Sequence, residues 1–271
     1  MANILDKYGD EYLTGEKLFG DDFTREEIAQ WFTLEAEAYS SLEGYGTNYP
    51  YHALDELTLY SKLPEKLGRV LGIGSALGFE FEPIAGRIES LDIVEPSKKW
   101  RSEKIGALTP VYHDPSEDGL PFPDESFDLI FPCSSLNHIP NVSYTVREAA
   151  RCLRKNGILL LREPISSMGD LRKRGGAKTS GLTRMERGIP LDLFLRIAQE
   201  SGFTVKSRTL TGFRPVILLA SKLFKKSYNS KTVVRLDCFL AWLSRFNCSY
   251  HAAGFWGKLR PTAVSLVLVK K

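Results

Sequence analysis

Between residues 66 and 164 the apolar positions fall into short runs near 68–72, 90–94, 109–112, 127–132 and 157–162, with longer stretches of helical period between them. Runs of that length bounded by Gly, Pro, Asn and Asp predict buried strands, and their alternation with helices predicts an α/β fold whose parallel sheet uses right-handed crossovers. A helix over Pro190–Ser201, a strand over Thr204–Leu210 and the apolar run Ala263–Val269 inside Pro261–Lys270 continue the plan. Residues 1–65 carry helical patterns, clearest over Phe23–Leu42, where Thr24-Arg25-Glu26-Glu27 supplies a capping signal ahead of Ile28, Trp31, Phe32 and Leu34. They are expected to form a helical flank or lid. In its turn-rich loop Gly44–Tyr51, Tyr45 or Tyr49 would fold over a ligand or simply pack the loop. Residues 66–271 then form the main domain, with insertions at 164–189 and 211–260.

The first strand runs into Gly72-Ile73-Gly74-Ser75-Ala76-Leu77-Gly78, and the second ends on Asp92-Ile93-Val94-Glu95-Pro96-Ser97. Glycines at a strand end let the backbone approach a ligand that a Cβ would exclude, and an acid about 20 residues on can accept from two ribose hydroxyls. The pair points to an adenosine-containing cofactor. A dinucleotide fingerprint needs its third small residue where Leu77 stands, so a nicotinamide dehydrogenase is disfavoured. The third glycine comes one residue later, at Gly78, giving the spacing GxGxxxG.

That spacing resembles motif I of class I S-adenosylmethionine-dependent methyltransferases of the type 11 kind. His113-Asp114-Pro115, Leu120–Ile130 and Leu136–Asn141 resemble the family's adenine-contact and motif IV regions, and Val146–Glu163 its next helix, glycine turn and central strand. The likeness covers about residues 66–164, with two departures: Gly72 stands where the family has an acid, and Ala76 replaces its middle glycine. It implies a Rossmann-like sheet of seven strands, the last antiparallel, with S-adenosyl-L-methionine as cofactor. Gly72, Gly74, Ser75 and Gly78 would meet its methionine and ribose, Glu95 with Pro96 its ribose diol, and Asp114 its adenine amine, with Pro115 or Ser116 beside the ring. Asp92 is the competing acid but lies inside the apparent strand. Cys133, Ser134 and Ser135 would face the reaction centre, and Asp128 would shape its strand. His138 is the candidate base, because an imidazole titrates near neutrality; it would otherwise only pack or position.

Composition narrows the partners. A net charge of +3 from 36 basic and 33 acidic residues is too small to imply nucleic acid, and no basic stripe suggests a tRNA substrate. No apolar run approaches the ~20 residues of a membrane span, and no leader is apparent, so a soluble, cytoplasmic protein is expected. Cys133, Cys152, Cys238 and Cys248 show no C-x-x-C pairing, and no metal motif is present. Local charge lies in the first insertion and at the strand end before it, where Arg162, Glu163, Arg172, Arg174, Arg184 and Arg187 would capture a phosphate or carboxylate of the acceptor, or form a solvated loop with Arg162 and Glu163 paired to each other. The stretch Lys222–Phe246 mixes apolar and basic residues, as a membrane-surface helix does, although packing on its own domain is the commoner outcome. The strings Arg162-Glu163-Pro164-Ile165, Ser167-Met168-Gly169-Asp170 and Arg187-Gly188-Ile189-Pro190 resemble a bacterial subgroup of polysaccharide-modifying enzymes. O-methylation of a sugar hydroxyl or sugar-linked acid, on a glycan or nucleotide sugar, is therefore the expected reaction. N- or C-methylation of a small metabolite, or a non-catalytic cofactor-binding subunit, are the alternatives.

Overall fold

The computed structural model describes residues 4–40, 54–116, 119–174, 183–223, 227–252 and 254–271; Tyr45, Tyr49 and the Arg174 side chain lie outside them. Seven strands, β1 (Leu67–Ile73), β2 (Ile88–Val94), β3 (Val111–His113), β4 (Phe127–Pro132), β5 (Leu153–Pro164), β6 (Phe203–Thr211) and β7 (Ala263–Lys270), form one sheet. Their spatial order is β3-β2-β1-β4-β5-β7-β6. Every described pairing is parallel except those of β7, which runs antiparallel to β5 and β6. This is the Rossmann-like sheet expected from the sequence.

Both faces of the sheet are covered, which is why its strands read as continuous apolar runs. On one face Leu71 and Ile73 of β1 and Ile130 of β4 meet Val146 of helix α2 (Val142–Cys152) and Phe194 of helix α3 (Leu191–Glu200). On the other, Val70, Leu129 and Phe131 meet Tyr60, Phe81 and Ile84. Each such fully buried side chain contributes about 1.5–3 kcal/mol.

Local departures have local causes. The segment after the glycine turn is a 3-10 run, Phe79–Arg87, containing Pro83, whose missing N–H cannot extend an α-helix. After Pro96-Ser97 only one turn forms, Lys98–Trp100. The expected glycine turn before the central strand is absorbed into β5, which starts at Leu153 and carries Asn156 at φ 64 beside a register shift in its pairing with β4.

The N-terminal segment is a packed part of the molecule. In helix α1 (Arg25–Ser40) the Thr24 N–H donates to Glu27 Oε2 at 3.0 Å and the Glu27 N–H to Thr24 Oγ1 at 3.4 Å, the reciprocal capping its sequence predicts. Tyr8, Tyr12, Phe19, Phe23 and Trp31 share one apolar cluster with Leu171 and Met185 of the first insertion. The second insertion supplies helices α4 (Arg214–Leu223) and α5 (Lys231–Leu243), and buried Asp237 joins α5 to the end of β6 by accepting from the N–H groups of Gly212 (2.8 Å) and Phe213 (2.7 Å).

Candidate functional site

The ends of β1, β2 and β4 open onto a cleft, where an open parallel sheet places its ligand. Gly74 and Gly78 hold φ of +63° and +69°, the left-handed region in which a Cβ is costly, and a Cβ at Gly74 would stand 2.7 Å from Ser135 Cβ. The turn they make is clamped from its neighbours. Glu95 accepts from the N–H groups of Ala76 and Ser97, both at 2.9 Å; Tyr112 donates its hydroxyl to Ala76 O at 2.8 Å, and Ser102 its own to Leu77 O at 3.0 Å. Desolvation raises the Glu95 carboxyl above the ordinary carboxylate range. Each of its oxygens keeps acceptor capacity toward the cleft.

The opposite wall is a loop, Leu136–His138, held on both sides by buried charges. Glu163 accepts from the N–H groups of Ser135 and Leu136 (3.1 Å each) and of Asn137 (3.3 Å). Burial outweighs those bonds and pushes its carboxyl up to about 7. Arg187 donates to Phe19 O at 2.8 Å and Asn137 O at 3.0 Å, and its guanidinium lies 4.9 Å from the Trp31 ring centre. Trp31 in turn donates to His138 O at 2.6 Å.

Above this loop sits His138. Its Nδ1 is 3.1 Å from Glu35 Oε2, its Nε2 is 3.9 Å from Glu186 Oε1, and Thr183 donates to Glu35 Oε1 at 2.7 Å. Tyr39 approaches the imidazole edge-on at 5.4 Å. The carboxylate of Glu35, at hydrogen-bond distance, favours N–H at Nδ1, while that of Glu186 stands beyond hydrogen-bond distance of Nε2.

Of the residues singled out by sequence, Gly74, Glu95, Pro96, Pro115 and His138 line the cleft, with Ser116 and Ser135. Gly72 does not: Ser75 Oγ and Phe81 cover it, a Cβ there would lie 2.5 Å from that hydroxyl, and buried Glu80 is the acid beside Ser75. The missing motif acid is thus a matter of space, since a longer side chain at position 72 would displace Ser75 and Phe81. Ser75 is itself buried, and Gly78 backs onto Ile105. Asp114, next to cleft-lining Pro115, pairs its exposed carboxyl with Arg101 and is not itself part of the lining. Asp92 binds Arg69 and His113, and Asp128 binds the Arg69 N–H and Arg154, so both shape strands. Cys133 packs into the apolar cluster on the face of Phe131, and Ser134, at φ 54, turns its hydroxyl to Arg162 O.

The proposed acceptor cluster is dispersed. Glu163 is spent on the loop and Arg187 is buried beneath it, because neither could reach solvent without breaking that clamp. Arg162 and Glu163 follow one another in β5 and so point to opposite faces. Arg172 lies between Asp170 and Asp10 at 2.9 and 2.7 Å, and exposed Arg184 borders a separate hollow with Gln30 and Leu34. Among the described residues no Lys or Arg lines the cleft.

Sequence reasoning missed Glu35, Thr183 and Glu186, together with the apolar Ile28, Phe32 and Tyr39 of α1 that roof the cleft. One signal was available: Ile28, Phe32, Glu35 and Tyr39 share a helical face, and an acid on an apolar stripe asks for a partner.

These residues fit S-adenosylmethionine. A buried carboxylate for the ribose diol stands between Gly74 and the apolar Val94, Pro96 and Pro115, which suit an adenine. Residues 71–161 match the family model described as methyltransferase domain. Over 100 residues the chain is 34% identical to the uncharacterized methyltransferase YcgJ of Bacillus subtilis, 34% of this chain and 39% of that protein. Over 42 residues it is 48% identical to 27-O-demethylrifamycin SV methyltransferase of Amycolatopsis mediterranei, 16% and 15% of the two lengths. The chain thus spans less than half the length of these relatives. An S-adenosylmethionine dependent methyltransferase from Mesorhizobium loti shares the fold at a TM-score of 0.52 and 17% identity, over 78% of this chain and 95% of that one. Residues 71–161 thus resemble a methyltransferase domain, and the chain has the fold of S-adenosylmethionine-dependent methyltransferases.

Proposed function

We propose that this protein transfers a methyl group from S-adenosylmethionine to a neutral hydroxyl oxygen, that of a sugar or another small acceptor with an apolar face. The observation that carries this reading is the buried His138–Glu35–Thr183 chain at the wall of the cleft. The cofactor, when bound, supplies an electrophilic methyl on a sulfonium. A hydroxyl acquires nucleophilicity only as its proton leaves, and His138 Nε2 is the group that takes it. Glu35 then stabilises the imidazolium through Nδ1–H, and Thr183 fixes the carboxylate.

The absence of Arg and Lys from the described lining favours a hydroxyl over the sugar-linked acid or nucleotide sugar also considered. Ile28, Phe32, Tyr39, Ile139 and Tyr144 suit an acceptor with an apolar side, whether the carbon face of a pyranose or an aromatic alcohol. The relative that methylates 27-O-demethylrifamycin SV is, by its name, an O-methyltransferase of a small molecule.

The test is release of S-adenosylhomocysteine with a panel of neutral glycosides, aromatic alcohols, uronic acids and amines. Turnover on a neutral hydroxyl acceptor is expected, falling roughly 10²–10⁴-fold in His138→Ala while cofactor affinity is kept. Turnover confined to amines, or a His138→Ala variant as active as wild type, would instead favour N-methylation without a base.

A further inference from the structure

The second insertion buries the wrong side of its main helix for a segment that merely packs on its own domain. Toward the sheet α5 presents Val234, Asp237, Ala241 and Ser244; outward, at successive turns, it presents Leu236, Phe239, Leu243 and Phe246, with Trp242 beside them. The large apolar side chains are thus the solvent-facing ones: Phe239 is 55% exposed, Trp242 53% and Phe246 87%. Phe239 and Trp242 stack on each other at 6.3 Å, and the Arg245 guanidinium lies 4.3 Å from the Trp242 ring centre. Asn247 ties the next turn to the end of α5 through Trp256 O at 3.2 Å, and that turn carries Trp256, 78% exposed. The neighbouring helix α4 adds exposed Leu218, Leu219 and Leu223.

Charge selects what covers this face. Residues 211–260 hold nine Lys or Arg and a single acid, Asp237, in a chain whose total is only +3. Asp237 is buried and held by two backbone N–H groups, and although Arg235 pairs with Glu56, the exposed Arg214, Lys222, Lys231, Arg245 and Lys258 give the described outer surface of the insertion a net positive charge. Aromatic and leucine side chains surrounded by Lys and Arg, such as the exposed Lys222, Lys231 and Lys258, form the pattern of a segment lying in the headgroup region of an anionic bilayer. A second copy of the same chain would bring two cationic faces together. No described helix is long and apolar enough to cross a membrane, so the contact is one of lying on the surface.

We propose that α4, α5 and the Phe255–Trp256 turn form a peripheral docking face for an anionic lipid surface. The insertion leaves β6, which is parallel to β1, β2 and β4, at the same end of the sheet as the cleft. Docking would therefore bring the cleft end toward the leaflet. The proposal does not depend on the methyltransferase reading, since binding is measured without cofactor or acceptor.

The experiment is co-sedimentation of the full chain with vesicles of phosphatidylglycerol and phosphatidylcholine in equal parts, and with phosphatidylcholine alone. Binding to the anionic vesicles is expected, weakening as salt screens it and falling roughly tenfold or more in Phe246→Ser/Trp256→Ser and in Lys222→Glu/Lys258→Glu. Both pairs are exposed, so circular dichroism and thermal unfolding should match wild type. Folded wild type that ignores anionic vesicles would overturn the proposal. A dimer in analytical ultracentrifugation that Phe246→Ser/Trp256→Ser abolishes, without vesicle binding, would overturn it too and assign the face to a second copy.

Discussion

The two walls of the cleft are built by opposite means. On the cofactor side, the turn after β1 is fixed by groups close in sequence: Glu95 reaches Ala76 across 19 residues and Ser97 across two. On the side of His138 the contacts reach further, 103 residues to Glu35, 107 to Trp31 and 168 between Arg187 and Phe19 beneath it, although Glu163 grips the same loop from 26 to 28 residues away. The first wall is a property of one βαβ unit. The second exists only once the N-terminal helix, the first insertion and the loop after β4 have packed together. A local wall can be shared by relatives that match only residues 71–161, whereas under the proposed function the long-range wall would set acceptor choice.

The comparison is most severely broken by Arg187→Ala. It removes a buried side chain stacked on Trp31 and strands the carbonyls of Phe19 and Asn137, at an expected cost of about 3–5 kcal/mol in urea unfolding. Burial without a carboxylate contact lowers that guanidinium to about 10, so the residue is costly to hold and costlier to remove.

Glu80→Gln sharpens the contrast from the cofactor side. Glu80 is buried beneath the turn, and desolvation pushes its carboxyl from 4.5 up to about 7. A carboxyl raised in the folded state stabilises fully below its unfolded pKa and loses that contribution as pH climbs through its folded one. The variant should therefore be more stable than wild type at pH 8, by about 1–3 kcal/mol, with the gain shrinking on acidification toward the unfolded value. Thermal unfolding across that range checks it; a gain that grows in acid would contradict the sign.

Gly74→Ala is the smallest change. A Cβ at φ +63° and 2.7 Å from Ser135 Cβ should cost about 1–2 kcal/mol and weaken S-adenosylhomocysteine binding measured by calorimetry. The same titration on His138→Ala should show no such loss.

What the sequence made legible follows the same division. Strand periods, the glycine turn and the acid after β2 are local signals, while the count of seven strands and the antiparallel β7 were what the family resemblance implied. Glu163 and Arg187 were expected at an anionic acceptor or in a solvated loop because nothing nearby in sequence reveals the backbone amides and carbonyls that claim them in the fold. Glu35 showed in sequence only as an acid on an apolar stripe, and its partners, His138 and Thr183, come from two other segments. The helical shortfall after Gly78 had a visible cause in Pro83, but a parallel sheet needs only a crossover, and a 3-10 run serves. Lys222–Phe246 was correctly amphipathic, yet periodicity cannot say which of two apolar stripes faces inward; the smaller residues do.

The central claim is that the two walls act separately, Glu95 holding the cofactor and His138 serving the acceptor. Calorimetric titration of S-adenosylhomocysteine into wild type, Glu95→Ala and His138→Ala tests it most directly. The account predicts binding by wild type, a loss of about 1–3 kcal/mol in Glu95→Ala, and a change within about 0.5 kcal/mol in His138→Ala. No binding by folded wild type, or an equal loss in both variants, would contradict it.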